Sequence, residues 1–177
     1  MQQFSRRKLF PTYYAQAVTD VTPAFIRECG CTVVLADIDN TLAHVDAPDA
    51  VPMAEAWMQT LKEAGIGLAF LSNNDPPRVE PFAAKYGARF VCHAQKPQVK
   101  GYLELAKQFG CKPEACLVVG DQLFTDILGG NNAGMSTVIV SPICEAEDPK
   151  AFRKRRKLEK ILLHMDKAFQ GAKRRIK

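Results

Sequence analysis

Short apolar runs alternate with stretches of helical length along most of the chain, and this alternation limits the possible folds more than any other feature. Each run has five or six residues, is rich in Val, Ile, Leu and Phe, and ends in polar residues or glycine. Buried parallel strands have this pattern. The runs are Thr32–Ala36, Ile66–Leu71, Arg89–His93, Cys116–Gly120 and Ser136–Val140.

The stretches between the runs have helical length, and each is followed by a glycine that can end a helix. They are Val51–Ala64, Pro77–Tyr86, Val99–Phe109 and Gln122–Ala133. Alternating strands and helices predict βα units, and therefore an α/β fold with a doubly wound parallel sheet that helices cover on both faces. In such sheets, ligands bind outside the carboxyl ends of the strands.

Carboxylates, small polar groups and a lysine follow four of the predicted strands, at the edge where ligands bind. Two of the carboxylates are two residues apart, so in an extended chain both point to one side. The set comprises Asp37 and Asp39 after the first run, Ser72 and Asn73 after the second, Lys96 after the third, and Asp121 and Asp126 after the fourth.

The chemistry of this set favours phosphoryl transfer. Clustered carboxylates repel one another and attract a hard divalent cation, for which Mg²⁺ is the usual choice. A metal, a lysine and a hydroxyl together bind a phosphoryl group, and a carboxylate beside it can attack phosphorus. The alternative, that Asp39 belongs only to a turn and Asp126 only to a charged helix face, stays open at this point.

Four motifs in this order resemble those of the haloacid dehalogenase superfamily of phosphatases: DIDNT, SNN, Lys96-Pro97 and GDQLFTD. Leu9-Phe10-Pro11, Val21-Thr22-Pro23 and GDQLFTDILGGNNAG resemble the YqeG family within the IIIA-type phosphatases, and the resemblance spans about residues 9–145. That family is related to phosphatidylglycerophosphate phosphatases. The resemblance implies an enzyme, a phosphoric monoester hydrolase.

The resemblance also implies catalytic roles. Asp37 would be the nucleophile and Asp39 the general acid and base. Ser72 and Asn73 would hydrogen-bond the phosphoryl oxygens, and Lys96 would neutralise the developing charge.

For the metal, the resemblance implies that Asp37, the backbone carbonyl of Asp39 and Asp121 bind Mg²⁺. Asp126 is the fourth acidic residue of this set, and it would either ligate the ion through water or orient Lys96.

The chain has a formal net charge of +5, which averages two unlike parts. Residues 1–149 carry 12 basic and 17 acidic side chains, whereas residues 150–177 carry 12 basic and 2 acidic side chains. We therefore expect two parts, a phosphatase domain with its N-terminal lead-in over residues 1–149 and a basic amphipathic helix over residues 150–177. The apolar positions of that helix are Leu158, Ile161, Leu162, Met165, Phe169, Ala172 and Ile176.

Three interpretations of the basic helix remain open. Its apolar stripe could dock on the sheet or on a second subunit, it could adsorb to anionic lipid, or its basic face could contact RNA or DNA. Aromatic residues that would stack on bases do not interleave with its basic residues, so we do not expect a nucleic-acid partner.

The segments after the first and second motifs are too short for a cap domain, since residues 42–50 and 74–95 are all that they offer. An uncapped site is open and suits a substrate whose bulk stays outside, such as a macromolecule or a membrane lipid. The six cysteines are expected to be free thiols of a reducing cytoplasm, and no apolar run approaches the ~18 residues of a membrane-spanning helix. We therefore expect a cytoplasmic protein, and the basic helix together with the open site suggests peripheral attachment to the inner face of the membrane.

The function predicted from the sequence is a Mg²⁺-dependent phosphomonoester hydrolase that forms an aspartyl phosphate and dephosphorylates phosphatidylglycerophosphate at the membrane surface. One alternative is a phosphatase for a soluble or protein phosphoester. Another is a non-catalytic scaffold that binds RNA or a protein partner through the basic tail.

Overall fold

A six-stranded parallel sheet forms the centre of the molecule in a computed structural model that describes residues 6–148, 153–170 and 176. The strands are β1 (Tyr13–Tyr14), β2 (Val33–Ala36), β3 (Gly67–Leu71), β4 (Arg89–Val91), β5 (Cys116–Gly120) and β6 (Ser136–Ile139). Their order across the sheet is β1-β6-β5-β2-β3-β4, and every neighbouring pair is parallel. The predicted α/β fold with a parallel sheet is confirmed.

All five runs identified in the sequence form strands, with ends shortened by up to two residues. The sixth strand, β1, was not predicted, because two residues are too short to show a pattern. It pairs at the edge of the sheet with Val138 and Ile139 of β6.

Helices connect the strands as the glycine positions indicated. They are α1 (Arg6–Leu9), α2 (Pro23–Glu28), α3 (Pro52–Glu63), α4 (Pro76–Tyr86), α5 (Lys100–Gln108), α6 (Leu128–Asn132) and α7 (Arg153–Gln170). The glycines that follow α3, α4, α5 and α6 have φ between +61° and +80°, the left-handed conformation that ends helices. A loop leads directly from β2 to α3, and α4 alone separates β3 from β4, so between Asp37 and Lys96 the chain has no cap domain.

Apolar side chains cover the sheet on both faces. Val34 and Ala36 of β2 pack with Trp57 and Phe70 in one cluster, whereas Val33 and Leu35 belong to a second cluster with Tyr102 and Leu105. Alternate residues of a strand point to opposite faces, so the two clusters lie on opposite sides of the sheet. The strands that lead to the carboxyl edge of the sheet are therefore packed on both faces.

The segment after β5 differs from the prediction. Instead of one helix over Gln122–Ala133, a π-helical turn at Leu123–Ile127 precedes the short α6. The wider turn brings Asp126 back to the end of β5, where one of its carboxylate oxygens accepts a hydrogen bond from the backbone N–H of Gln122 at 3.1 Å.

The C-terminal helix α7 packs on the core with one face. Leu162 and Leu163 contact a cluster that includes Tyr14 and Ile127, and the Tyr14 hydroxyl donates to Asp166 at 2.6 Å. The predicted apolar stripe is therefore divided, because Leu162 is packed while three other members, Leu158, Ile161 and Met165, are 49%, 58% and 46% exposed. The side chains of residues 167–170, including Phe169, and residues 171–175, including Ala172, lie outside the described part of the chain.

Within residues 6–148 and 153–170, no helix combines the length and the apolar character that crossing a membrane requires.

Candidate active site

Asp37 lies at the centre of the carboxyl edge of the sheet, directly after β2. Its backbone N–H donates to the carbonyl of Val119 in β5 at 3.0 Å, which extends the strand pairing by one residue and fixes the start of the loop. The side chain is buried. One carboxylate oxygen accepts a hydrogen bond from the Lys96 ammonium at 2.6 Å.

Lys96 joins two of the predicted acidic residues. Its Nζ lies 2.6 Å from Asp37 Oδ1 and 2.7 Å from Asp126 Oδ1, and its side chain is only 5% exposed. Burial disfavours the ammonium ion, but the charges of Asp126 and Asp37 outweigh that effect and raise the pKa of Lys96 above its ordinary value. Lys96 is therefore a fixed positive charge inside the site.

The side chain of Asn73 contacts the backbone of Lys96. Its side-chain oxygen accepts from the backbone N–H of Lys96 at 2.7 Å, and its amide nitrogen makes a longer contact of 3.4 Å to the Lys96 carbonyl. Ser72 is buried at the end of β3, where its hydroxyl accepts from the backbone N–H of Asn74 at 3.1 Å.

Three carboxylates converge beside Lys96. One oxygen from each of Asp37, Asp121 and Asp126 lies within 4.8 Å of the others, and all three residues are buried. Burial raises the pKa of Asp37, and this effect outweighs the positive charge of Lys96, which acts to lower it. Burial likewise raises the pKa of Asp121, although the positive charge of Arg156 acts to lower it.

This donor set fits a divalent cation. Hard oxygen donors at this spacing suit Mg²⁺, and when ionised the three carboxylates outnumber the two cations that contact them, Lys96 and Arg156. Of the four residues that the sequence analysis named for the metal, the structure brings together the carboxylates of Asp37, Asp121 and Asp126. Asp126 also accepts a hydrogen bond from Lys96.

The side chain of the fourth, Asp39, is turned towards α4. Its two oxygens accept hydrogen bonds from Arg78 at 2.8 Å and from the side-chain amide of Asn74 at 2.6 Å. The backbone N–H of Asp46 adds a third hydrogen bond at 3.2 Å. Asp39 is thus oriented by Asn74, the last residue of the SNN motif, and by Arg78, which the sequence reasoning did not single out.

An open cleft of about 420 Å³ lies at this edge of the sheet. Asp37, Asp39, Ser72, Asn73 and Lys96 all line it, so the predicted catalytic and phosphate-binding residues share one cavity. A larger groove of about 770 Å³, between α3 and the start of β4, contains none of the predicted site residues.

Three arginines of the site were missed by the sequence reasoning. Arg78 contacts Asp39, Arg155 lines the cleft and donates to the side chain of Gln122, and Arg156 contacts Asp121. Arg78 follows the second motif by a few residues, which is a weak signal. Arg155 and Arg156 belong to a run of basic residues in which no position stands out.

Comparison with known proteins identifies the family of this chain. The model of the haloacid dehalogenase-like hydrolases matches residues 7–134. The probable phosphatase YqeG of Bacillus subtilis is 35% identical over 142 residues, which cover 80% of this chain and 83% of that protein. Phosphatidylglycerophosphate phosphatase 1 of Arabidopsis thaliana, chloroplastic/mitochondrial, is 31% identical over 147 residues, which cover 78% of this chain but only 42% of the plant protein.

Among solved structures, the cobalt-bound deoxy-D-mannose-octulosonate 8-phosphate phosphatase YrbI of Haemophilus influenzae superposes with a TM-score of 0.52 at 22% identity, covering 81% of this chain and 95% of that one. At this identity the likeness concerns the fold. With the matched family model and the similarity to YqeG, the chain belongs to the haloacid dehalogenase-like hydrolases and, within them, to the YqeG family of phosphatases.

Proposed function

We propose that this phosphatase is a Mg²⁺-dependent phosphomonoester hydrolase in which Asp37 forms an aspartyl phosphate. The observation that carries the proposal is the position of Asp37, which lines the open cleft and at the same time contacts Lys96 within the carboxylate cluster. A nucleophilic carboxylate needs such a neighbouring cation to bring a phosphate dianion close.

Asp37, Asp121 and Asp126 supply the carboxylates that would hold Mg²⁺, and we retain the backbone carbonyl of Asp39 as a further proposed ligand. Bound Mg²⁺ would neutralise charge on the phosphoryl oxygens. Lys96, already held between Asp37 and Asp126, adds a second positive charge at the same place.

The reaction follows from the two aspartates of the first motif. A carboxylate oxygen of Asp37 attacks phosphorus, the bond from phosphorus to the ester oxygen breaks, and the leaving oxygen takes a proton from the carboxyl group of Asp39. Asp39 then removes a proton from water, the water oxygen attacks phosphorus, and the bond to Asp37 breaks. The products are an alcohol and inorganic phosphate.

Ser72, Asn73 and Lys96 would bind the phosphoryl oxygens. All three line the cleft, and the amide nitrogen of Asn73 is held by only a 3.4 Å contact, so we assign its N–H to a phosphoryl oxygen.

For the substrate, we propose phosphatidylglycerophosphate presented at an anionic membrane surface. The similarity to the Arabidopsis phosphatase supports this class, and the uncapped cleft leaves room for a headgroup attached to a bilayer. Arg155 lines the cleft, where a second cation suits a headgroup that carries a phosphodiester beside its phosphomonoester.

The exposed face of α7 supports the membrane part of the proposal. Leu158, Ile161 and Met165 are spaced by three and four residues, so they form one stripe, and Lys154 and Lys157 precede the first two of them by one turn on the same face. A helix with an exposed apolar stripe and adjoining lysines lies in the interface of anionic membranes. We propose that the protein acts there, on the cytoplasmic side.

Phosphate release by the purified chain tests the proposal, with phosphatidylglycerophosphate in mixed micelles and a soluble aryl phosphate as substrates. We expect release that needs Mg²⁺, stops with a chelator, and falls at least about a thousandfold in Asp37→Asn. Asp49→Asn is the matched control, because Asp49 is an exposed carboxylate that pairs with Lys85 outside the cleft.

Three results would contradict parts of this proposal. Absence of metal-dependent release from any ester, or equal rates for Asp37→Asn and the wild type, would contradict the enzymatic mechanism and favour a scaffold. Release from the aryl phosphate alone would contradict the lipid substrate and leave the mechanism standing.

A further inference from the structure

The first turn of α7 places an arginine against the metal-binding side of the site. Arg156 is buried, although it stands in a run of basic residues. Its Nη2 donates to Asp121 Oδ2 at 2.5 Å, and its Nη1 donates to the backbone carbonyl of the same aspartate at 2.7 Å. The guanidinium thus contacts both the side chain and the backbone of one residue of the carboxylate cluster.

Two contacts to one residue fix its orientation. Because the planar guanidinium holds the carbonyl and a carboxylate oxygen together, rotation of the Asp121 side chain would break one of two charge-assisted hydrogen bonds. The other carboxylate oxygen, Oδ1, accepts a longer hydrogen bond of 3.2 Å from the Thr41 hydroxyl. Arg156 therefore holds Oδ2 and the backbone carbonyl of Asp121, while Oδ1 points towards the Thr41 hydroxyl.

Arg156 is itself held in place. Its Nε and Nη2 donate to the two oxygens of Asp148 at 2.8 and 3.2 Å. Burial disfavours ionisation of Asp148, but hydrogen bonds from Arg156 and Asn40 prevail and lower the pKa of this carboxyl. Arg156 also lies 3.6 Å from Glu159, one turn later in α7.

Asn40 connects this network to the nucleophile loop. Its amide nitrogen donates to Asp148 at 2.9 Å, and Asn40 is three residues after Asp37 in the loop that follows β2. A continuous series of side chains thus leads from that loop through Asp148 and Arg156 to Asp121 after β5. Residues 7–134 match the family model, so Arg156 lies beyond the segment that this model matches.

From this geometry we infer that Arg156 is a positioning residue that holds Asp121 in the orientation needed to bind the catalytic divalent cation, which makes the C-terminal helix a part of the phosphatase site. The inference rests on the proposed metal-dependent function. Without the arginine, the Asp121 carboxylate would be free to rotate. The guanidinium charge would also no longer offset the electrostatic repulsion between Asp121 and the carboxylates of Asp37 and Asp126.

The test compares Arg156→Gln and Arg156→Lys with Arg153→Gln in the full-length protein. Arg153 is exposed in the same helix, so its substitution removes the same charge from a surface position. Binding of Mn²⁺ alone, followed through the electron paramagnetic resonance signal of the free ion, measures the metal site without substrate. Mg²⁺ titration of aryl phosphate hydrolysis gives the second readout.

We expect Arg156→Gln to weaken Mn²⁺ binding at least about tenfold and to raise the Mg²⁺ concentration for half-maximal rate by a similar factor, with kcat at saturating Mg²⁺ reduced much less. Arg156→Lys, which keeps the charge but loses the paired contact, should fall between the wild type and Arg156→Gln. Arg153→Gln should match the wild type.

Mn²⁺ binding by Arg156→Gln that equals or exceeds that of the wild type would overturn the inference, because the arginine would then be neutral or would compete with the metal. If Arg156→Gln does not fold, Arg156→Lys decides, and unchanged Mn²⁺ affinity in that variant would overturn the inference. Failure of the proposed function would give a different result. The wild type would then hydrolyse no phosphate ester, whether or not the arginine variants bind Mn²⁺.

Discussion

Gly120 and Asp126 are in direct contact at the end of β5. A β-carbon on residue 120 would lie 2.4 Å from the carboxylate carbon of Asp126, which is closer than real side chains approach. The carboxylate of Asp126 reaches Lys96 and the backbone N–H of Gln122 from this position. The missing side chain at position 120 therefore provides the space in which Asp126 meets the lysine.

Gly120→Ala should displace Asp126 and lower kcat by about a hundredfold, because small displacements of catalytic groups have effects of this size. Gly67→Ala is the matched control, since its β-carbon would lie 2.7 Å from Phe109, a residue of the groove outside the site. We expect the control to lower the melting temperature with little effect on kcat. Equal kcat in the two variants would contradict the role of the contact.

Lys96→Met should lower kcat by about 10²- to 10⁴-fold, because the cation that faces both Asp37 and Asp126 is removed. Two buried carboxylates would also lose their partner, which costs about 3–5 kcal/mol of the free energy of unfolding. Steady-state kinetics and urea unfolding in the presence of a chelator measure the two effects. Lys107→Met, at an exposed position of α5, should show neither, and an active Lys96→Met enzyme would contradict the proposed role.

The convergence of Asp37, Lys96 and Asp121 could be predicted from the sequence because parallel topology brings all carboxyl ends of strands to one edge. Each of these residues directly follows, or closely follows, a run that its composition marks as a strand, although the run before Lys96 forms the half-exposed edge strand β4. The same reasoning located Asp126, but it placed the residue on an ordinary helix. The π-helical turn brings Asp126 against Gly120, and this contact between residues six positions apart is not visible in the hydrophobic pattern.

The partners of Asp39 and Asp121 could not be predicted in this way. Arg156 lies in a run of basic residues, and the docking of α7 through Leu162, Leu163 and Asp166 determines which of them faces the core. Arg78 reaches Asp39 from α4, so its role depends on how that helix lies over the loop. Arg78 and Arg156 can be assigned to the site only when tertiary packing has fixed which face of α4 and of α7 is turned towards it.

Arg78→Gln and Asp39→Asn should impair hydrolysis of alkyl phosphates more than that of aryl phosphates. An alkoxide leaving group needs the proton of Asp39, whereas an aryl oxide leaves without it, so loss of the acid or of its orientation affects the poorer leaving group. We expect about 10²- to 10⁴-fold loss on the alkyl ester for Asp39→Asn, and a smaller loss in the same direction for Arg78→Gln.

The ratio of kcat/KM for the two esters measures this effect independently of enzyme concentration. Arg89→Gln, at an exposed position on β4, serves as the control and should keep the wild-type ratio. An unchanged ratio in Asp39→Asn would mean that another group protonates the leaving oxygen.

Lys154→Gln with Lys157→Gln should weaken sedimentation with anionic liposomes by about thirtyfold, since each lysine near an anionic surface contributes about 1 kcal/mol. Leu158→Ser with Ile161→Ser should weaken it through loss of the apolar stripe. Leu103→Ser is matched to the second pair, because Leu103 is a 40% exposed leucine of α5. Undiminished binding in both double variants would remove α7 from the membrane hypothesis.

Deletion of residues 150–177 should have a different outcome from these surface substitutions. It removes Arg156 from Asp121, and it exposes the apolar cluster of Tyr14 and Ile127 on which Leu162 and Leu163 pack. We expect a lower melting temperature and, at limiting Mg²⁺, a loss of aryl phosphate hydrolysis at least as large as that of Arg156→Gln. The substitutions at Leu158 and Ile161 lie on the face of α7 opposite Arg156, so the aryl phosphate rate of that variant is the internal reference. A truncated protein with full activity at limiting Mg²⁺ would show that the helix does not contribute to the metal site.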